Sequence, residues 1–134
     1  NHSSFVEFGG IWPPHCVEGT RGGAIHESFY TKVENPANRP DPNRNIFRKG
    51  CKQDEEQYSG YEAVNSNGVA LKDYANKDVV VSGIATEYCV YNTVNEFLKS
   101  GRNVELLHDA LGYVDYEGHK KTIKDLRKMV TVVE

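Results

Sequence analysis

Asp78-Val79-Val80-Val81-Ser82-Gly83-Ile84-Ala85-Thr86-Glu87-Tyr88-Cys89-Val90 is the stretch on which the fold turns. Three successive valines leave no polar face, the pattern of an interior strand of a parallel sheet rather than a half-exposed one. After Gly83 the period changes. Thr86 to Ser100 carries Val90, Val94, Phe97 and Leu98 at helical spacing and meets a stop at Gly101. Downstream, Val104 to Leu107 reads as a second strand, followed by a glycine-containing loop through Asp109 and Gly112. Glu117 to Lys128 reads as a charged helix with Ile123, Leu126 and Met129 available to face inward, and Val130 to Val133 as a last strand. Upstream, Val69 to Asn76 is a weak helix. Strand, helix, strand, helix, strand implies right-handed crossovers and an α/β fold, a parallel sheet with helices on both faces. Ligands of such sheets sit at the carboxyl ends of the strands, where Lys49, Thr86 to Cys89 and Asp109 fall.

Residues 1–68 follow a different pattern. Gly9-Gly10, Pro13-Pro14, Gly22-Gly23 and the proline-rich run from Asn35 to Asn45 mark turns and loops. Within them, Ala24 to Val33 reads as a short helix, and Ile46 to Lys49 as a short strand ending at Gly50. The expectation is one domain over residues 1–134: loops over 1–68 and an alternating helix–strand core over 69–134. The chain opens Asn1-His2-Ser3-Ser4-Phe5 with neither an initiator methionine nor a preceding strand, so it reads as cut from a larger domain.

Composition removes several function classes. The net charge is -3 with no basic block, so no nucleic-acid footprint is expected. No run of about 20 apolar residues suggests a membrane span, and no signal-peptide pattern is present. Three scattered cysteines, Cys16, Cys51 and Cys89, make no disulfide framework and fit a reducing, cytoplasmic setting.

Cys89 is the residue with the strongest chemical reading. With Thr86 as N-cap, it falls in the first helical turn, where free N–H groups and the helix field favour a thiolate and could hold an oxyanion. The plainer alternative is an inert cysteine packed under the helix. Lys49, at a strand end, could stabilise negative charge nearby, although most lysines are simply solvated. His2 and His15 lie in polar loops and are open either to metal ligation or to a plain surface role. Phe5, Trp12 and Tyr58 could wall a flat substrate or simply pack the loops. His119 reads as lying on a solvent-facing part of its helix. A redox role is disfavoured, since there is no Cys-x-x-Cys pair.

Four ordered blocks carry a resemblance: Gly10-Ile11-Trp12-Pro13-Pro14-His15-Cys16-Val17, Phe47-Arg48-Lys49-Gly50, Tyr58-Ser59-Gly60-Tyr61, and Gly83 through Val90. Together they resemble the nicotinamidases, a branch of the isochorismatase-like cysteine hydrolases. The resemblance implies a three-layer αβα fold with a mostly parallel sheet, and hydrolysis of nicotinamide to nicotinate and ammonia through a cysteine thioester. It implies Cys89 as nucleophile, Lys49 as a triad lysine, and Ala85 and Cys89 N–H groups as the oxyanion hole, behind a cis Ile84–Ala85 bond. It further implies Trp12 and Tyr58 in the substrate pocket, and His2 and His15 as ligands of a divalent metal, zinc before iron or manganese. The family's first strand, first helix and second strand, its triad aspartate and two more metal ligands have no counterpart in this sequence. Neither Asp109 nor Glu87 is expected to replace that aspartate. A homo-oligomer is compatible with the family. The competing accounts are another isochorismatase-like amidase or hydrolase, and a noncatalytic binding or structural relative.

Overall fold

The computed structural model describes residues 2–134. Its centre is a parallel sheet of β1 (Asp78–Gly83), β2 (Asn103–Leu111) and β3 (Thr131–Val133), in the order β1-β2-β3. Two longer helices make the crossovers, α3 (Tyr91–Lys99) and α4 (Tyr116–Leu126), and two single turns, α1 (Ser28–Thr31) and α2 (Leu71–Tyr74), precede the sheet. The α/β class and the parallel core therefore match the sequence reading.

Register explains where the core sits. Val81 lies opposite Leu106, and Leu106 opposite Val132, so these side chains share one face. Val90, Val94 and Phe97 from the first crossover and Ile123 and Leu126 from the second cover that face, together with Val104 of β2. Both helices lie on the same side because the strand order advances in one direction, and right-handed crossovers then place successive helices on one face. The alternate positions are open, with Val80 62% exposed. Among the described residues, α3 and α4 form one layer over the sheet, so two of the three expected layers are observed. Helices on both faces would require the strand order to reverse within these residues.

Several boundaries differ from expectation. The Thr86–Ser100 helix begins as a π-turn over Thr86–Val90, closed by the Val90 N–H donating to the Ala85 carbonyl at 3.1 Å. Side chains from the next turn serve its carbonyls: Asn92 donates to Tyr88 O at 2.7 Å and Thr93 to Cys89 O at 2.6 Å. Strand β2 runs on through Asp109, because its register jumps from Val81↔Leu106 to Gly83↔Leu111 across an irregularity. Ile46 to Lys49 is not a sheet strand. Only Arg48 pairs, as an antiparallel bridge to Val64. The helices expected over Ala24–Val33 and Val69–Asn76 shrink to the single turns α1 and α2. Met129 is 42% exposed rather than inward, since α4 ends at Leu126 and the chain turns before β3.

Leu106 has no exposed surface and sits at the middle of the central strand. Leu106→Ala is expected to lower unfolding free energy by about 2–5 kcal/mol, the usual cost of a buried leucine cavity. Chemical denaturation with an unchanged m-value would check it.

Candidate active site

The chain leaves β1 at Gly83, whose φ of 111° lies in a region open to glycine. It then passes through a cis Ile84–Ala85 bond, as the family resemblance implied, and enters the π-turn that carries Cys89. Thr86 is not the N-cap. Ala85 occupies that position without a side-chain cap, and Thr86 is fully buried with its hydroxyl donating to Gly112 O at 2.8 Å. The Thr86 N–H donates to the same carbonyl at 2.9 Å, and the Gly112 N–H donates back to Gly83 O at 3.0 Å. Glu87 holds the same loop from the other side, its Oε1 accepting the Val114 and Asp115 N–H groups at 2.8 and 2.7 Å. Its carboxylate thus fixes the β2–α4 loop instead of serving the helix field alone.

A side chain on the loop's glycine would crowd this contact. A Cβ at Gly112 would lie 2.5 Å from Ile84 Cγ2. The turn is therefore gripped along its back, leaving Cys89 half-buried at the front. Cys89 is therefore not packed out of reach beneath the helix. Neither the Ala85 nor the Cys89 N–H donates to a carbonyl outside its own turn among the described residues.

Lys49 reaches this point from the irregular half. Its Nζ donates to Cys89 Sγ at 3.3 Å and to Gln57 O at 2.9 Å, while the Gln57 side chain accepts the Gly50 N–H at 2.9 Å. The ammonium is thus held by backbone and aimed at the sulfur. Among the described residues no carboxylate pairs with Lys49 or hydrogen-bonds to Cys89.

An aromatic group includes Tyr88 and Tyr58, the chain neighbours of Cys89 and of Gln57. Trp12 Nε1–H donates to Tyr58 Oη at 3.1 Å, and the Trp12 ring meets Tyr88 edge-on with centroids 4.8 Å apart. Tyr58 and Tyr88 are 5.5 Å apart. Tyr88 was not singled out in the sequence, where the only signal was an aromatic next to the thiol. Phe5 is buried, with the His2 and His15 rings at 6.0 and 5.4 Å from it, so it supports the histidines.

The two histidines differ as metal ligands. His15 Nδ1 donates to Pro13 O at 2.7 Å, which leaves Nε2 with a free lone pair, the tautomer that metal-binding imidazoles use. His2 Nδ1 accepts the Ser4 N–H at 3.1 Å, so its proton is on Nε2, which faces Glu55 O at 3.1 Å. His2 as hydrogen-bonded here has no lone pair to offer, and the pair does not by itself fit a metal centre. A separate group of ligand atoms, from His108, Asp109 and Glu134, lies within 4.8 Å of one another at the carboxyl end of the sheet.

These features have relatives. A family model described as the isochorismatase domain matches residues 56–134. The chain belongs to the isochorismatase-like hydrolase family. Within that family it is similar to the nicotinamidase/pyrazinamidase of Mycobacterium tuberculosis, at 30% identity over 129 residues, covering 93% of this chain and 63% of that protein. The structure is similar to that of the pyrazinamidase of Pyrococcus horikoshii solved in complex with zinc, with a TM-score of 0.77 and 33% identity, covering 100% of this chain and 69% of that one. It is equally similar to PnC1 of L. infantum in complex with nicotinate, with a TM-score of 0.78 and 33% identity, covering 100% and 66%. The chain thus spans a little under two-thirds of the mycobacterial relative. No helix among the described residues is long and apolar enough to cross a membrane.

Proposed function

We propose that this isochorismatase-like chain carries the nucleophilic half of an amidohydrolase that converts nicotinamide, or a closely related pyridine carboxamide, to the acid and ammonia. The observation that carries the reading is the 3.3 Å contact between Lys49 Nζ and Cys89 Sγ at the carboxyl end of a parallel strand. The relatives described as nicotinamidases and pyrazinamidases support the substrate class.

In this reading Cys89 Sγ attacks the carboxamide carbon. The carbonyl oxygen takes up negative charge, and the Ala85 and Cys89 N–H groups donate to it. Collapse breaks the C–N bond, and the thiol proton leaves with the nitrogen as ammonia. Water then cleaves the thioester, giving the carboxylic acid and restoring the thiol. Lys49 supplies fixed positive charge beside the sulfur throughout. The flat ring of the substrate lies against Trp12, Tyr58 and Tyr88, with Phe5 behind the histidines. A divalent ion such as zinc, iron or manganese would bring Lewis-acid charge to the site. His15 has a nitrogen free for one, but His2 would first have to release Glu55 O, so no step is routed through an ion.

The test is ammonia release from nicotinamide by the purified protein, compared with Lys49→Met. Loss of the ammonium removes a charge-assisted contact, and kcat is expected to fall by about 10²–10³-fold. Full activity in Lys49→Met would refute the role given to that residue. A folded protein inert toward nicotinamide and pyrazinamide alike would refute the substrate class.

A further inference from the structure

His119 departs furthest from its sequence reading. It stands on α4, where the sequence pattern assigns it to solvent, yet it is half-buried and its Nδ1 lies 3.0 Å from Thr86 Oγ1. Thr86 is fully buried three residues before the nucleophile. Its single hydroxyl hydrogen is given to Gly112 O, a group that can only accept. The oxygen can therefore only accept from the imidazole, so Nδ1 carries the proton. The resulting chain, His119 N–H to Thr86 O–H to Gly112 O, runs in one direction and leaves no member unpaired. Aromatic rings hold the imidazole in place, with Tyr113 at 4.8 Å and Tyr116 stacked at 6.5 Å.

We propose that His119 is a positioning residue for the Cys89 turn and acts through Thr86. The proposal rests on the reading of Cys89 as nucleophile. Nothing places His119 against substrate, and its effect is mechanical. Thr86 gives both its N–H and its hydroxyl to one carbonyl, Gly112 O, and the Gly112 N–H returns to Gly83 O. These bonds span the elbow from Gly83 to Thr86. The imidazole presses on the one residue common to the elbow and the π-turn. A Cβ at Gly118, one residue before His119, would sit 3.8 Å from Glu87 Cγ, so the first turn of α4 rides directly on the turn it would hold. Removing the imidazole leaves Thr86 Oγ1 held by Gly112 O alone with open space beside it, and the turn with the sulfur and its two oxyanion N–H groups is held less firmly in its pose. Transition-state geometry suffers more from that than ground-state binding does.

His119→Ala, His119→Asn and Thr86→Val are the informative variants, because Asn can offer an N–H near the place of Nδ1, and Val keeps the volume of Thr without its hydroxyl. Two rates are measured: turnover of nicotinamide, and alkylation of Cys89 by iodoacetamide resolved by peptide mass. The exposed Cys16 and Cys51 serve as internal references in the same sample. For His119→Ala and Thr86→Val, kcat is expected to fall about tenfold with KM within about twofold, and Cys89 alkylation to fall several-fold relative to the two references. His119→Asn is expected to recover most of both rates. Wild-type kcat and alkylation in His119→Ala would overturn the proposal, as would equal loss in His119→Asn and His119→Ala. If wild-type protein alkylates selectively at Cys89 but does not hydrolyse nicotinamide, the substrate reading fails, and the alkylation ratios alone decide the role of His119.

Discussion

Cys89→Ala is expected to lower kcat for ammonia release by about 10⁴-fold or more while leaving the folded state intact. The large effect follows from chemistry. The sulfur forms the bond that divides one difficult hydrolysis into two easier steps, and the side chain hydrogen-bonded to it, Lys49, is read as an ammonium with no lone pair to attack in its place. The small effect on stability follows from packing. Cys89 is half-buried, and its recorded side-chain hydrogen bond is to Lys49, so removing the sulfur opens little cavity and orphans no buried partner. A change below about 1 kcal/mol in unfolding free energy is expected. Activity assay and thermal melting on the same preparation make the comparison. Retained turnover in a protein shown by mass to lack the thiol would end the thioester mechanism.

Gly10→Ala is expected to damage substrate binding from a distance. A Cβ there would fall 2.0 Å from the carbonyl carbon and oxygen of Ser4, backbone atoms with no side-chain freedom to yield. That carbonyl accepts the Trp12 N–H at 2.9 Å, and the Gly10 N–H itself donates to Phe5 O at 3.0 Å. The clash therefore strikes the bridge that orients Trp12 and Phe5, and through Phe5 the two histidine rings. Overpacking of this kind costs about 1–3 kcal/mol or more. The sheet and its helices lie elsewhere, so their cooperative unfolding should persist with a lower midpoint. Trp12 is the chain's one tryptophan, so its fluorescence reads the site wall directly. Expected are a shifted emission and a KM raised by about tenfold or more. Unchanged emission and KM would mean that the loop accommodates the methyl, and the coupling argued here would fall.

The order β1-α3-β2-α4-β3 was legible because its signals are local. A valine run, apolar spacing at Val90, Val94 and Phe97, and glycine stops are each read within a dozen residues. The faces to which the helices go were not legible, since they depend on strand order, a property of the whole sheet. The π-turn was hidden for a related reason. It depends on Asn92 and Thr93 serving the carbonyls of Tyr88 and Cys89, which ordinary helical spacing does not announce. In the site, Cys89 stood out by its place between strand and helix. Lys49 was placed correctly at the same edge, but for the wrong local reason: a bridge at Arg48 and the Gln57 carbonyl bring it there, not a sheet strand. Tyr88 and His119 were missed because one looked like a helix aromatic and the other like a surface polar residue. Their contacts arise only when Trp12 and Thr86 are brought to them by the tertiary fold.

The position of β2 between two parallel neighbours has a consequence for the order in which the molecule opens. Its amides around Leu106 are paired from both sides and lie under the core, whereas β1 is an edge strand among the described residues. Hydrogen exchange should therefore be slowest at β2, where release requires global unfolding, and faster along the path from Gly83 to Cys89, where the turn's own bonds and those to the Gly112–Asp115 loop must part but the sheet need not. The reactive turn thus hangs from the margin of the rigid unit. It can yield in local fluctuations that leave the centre closed.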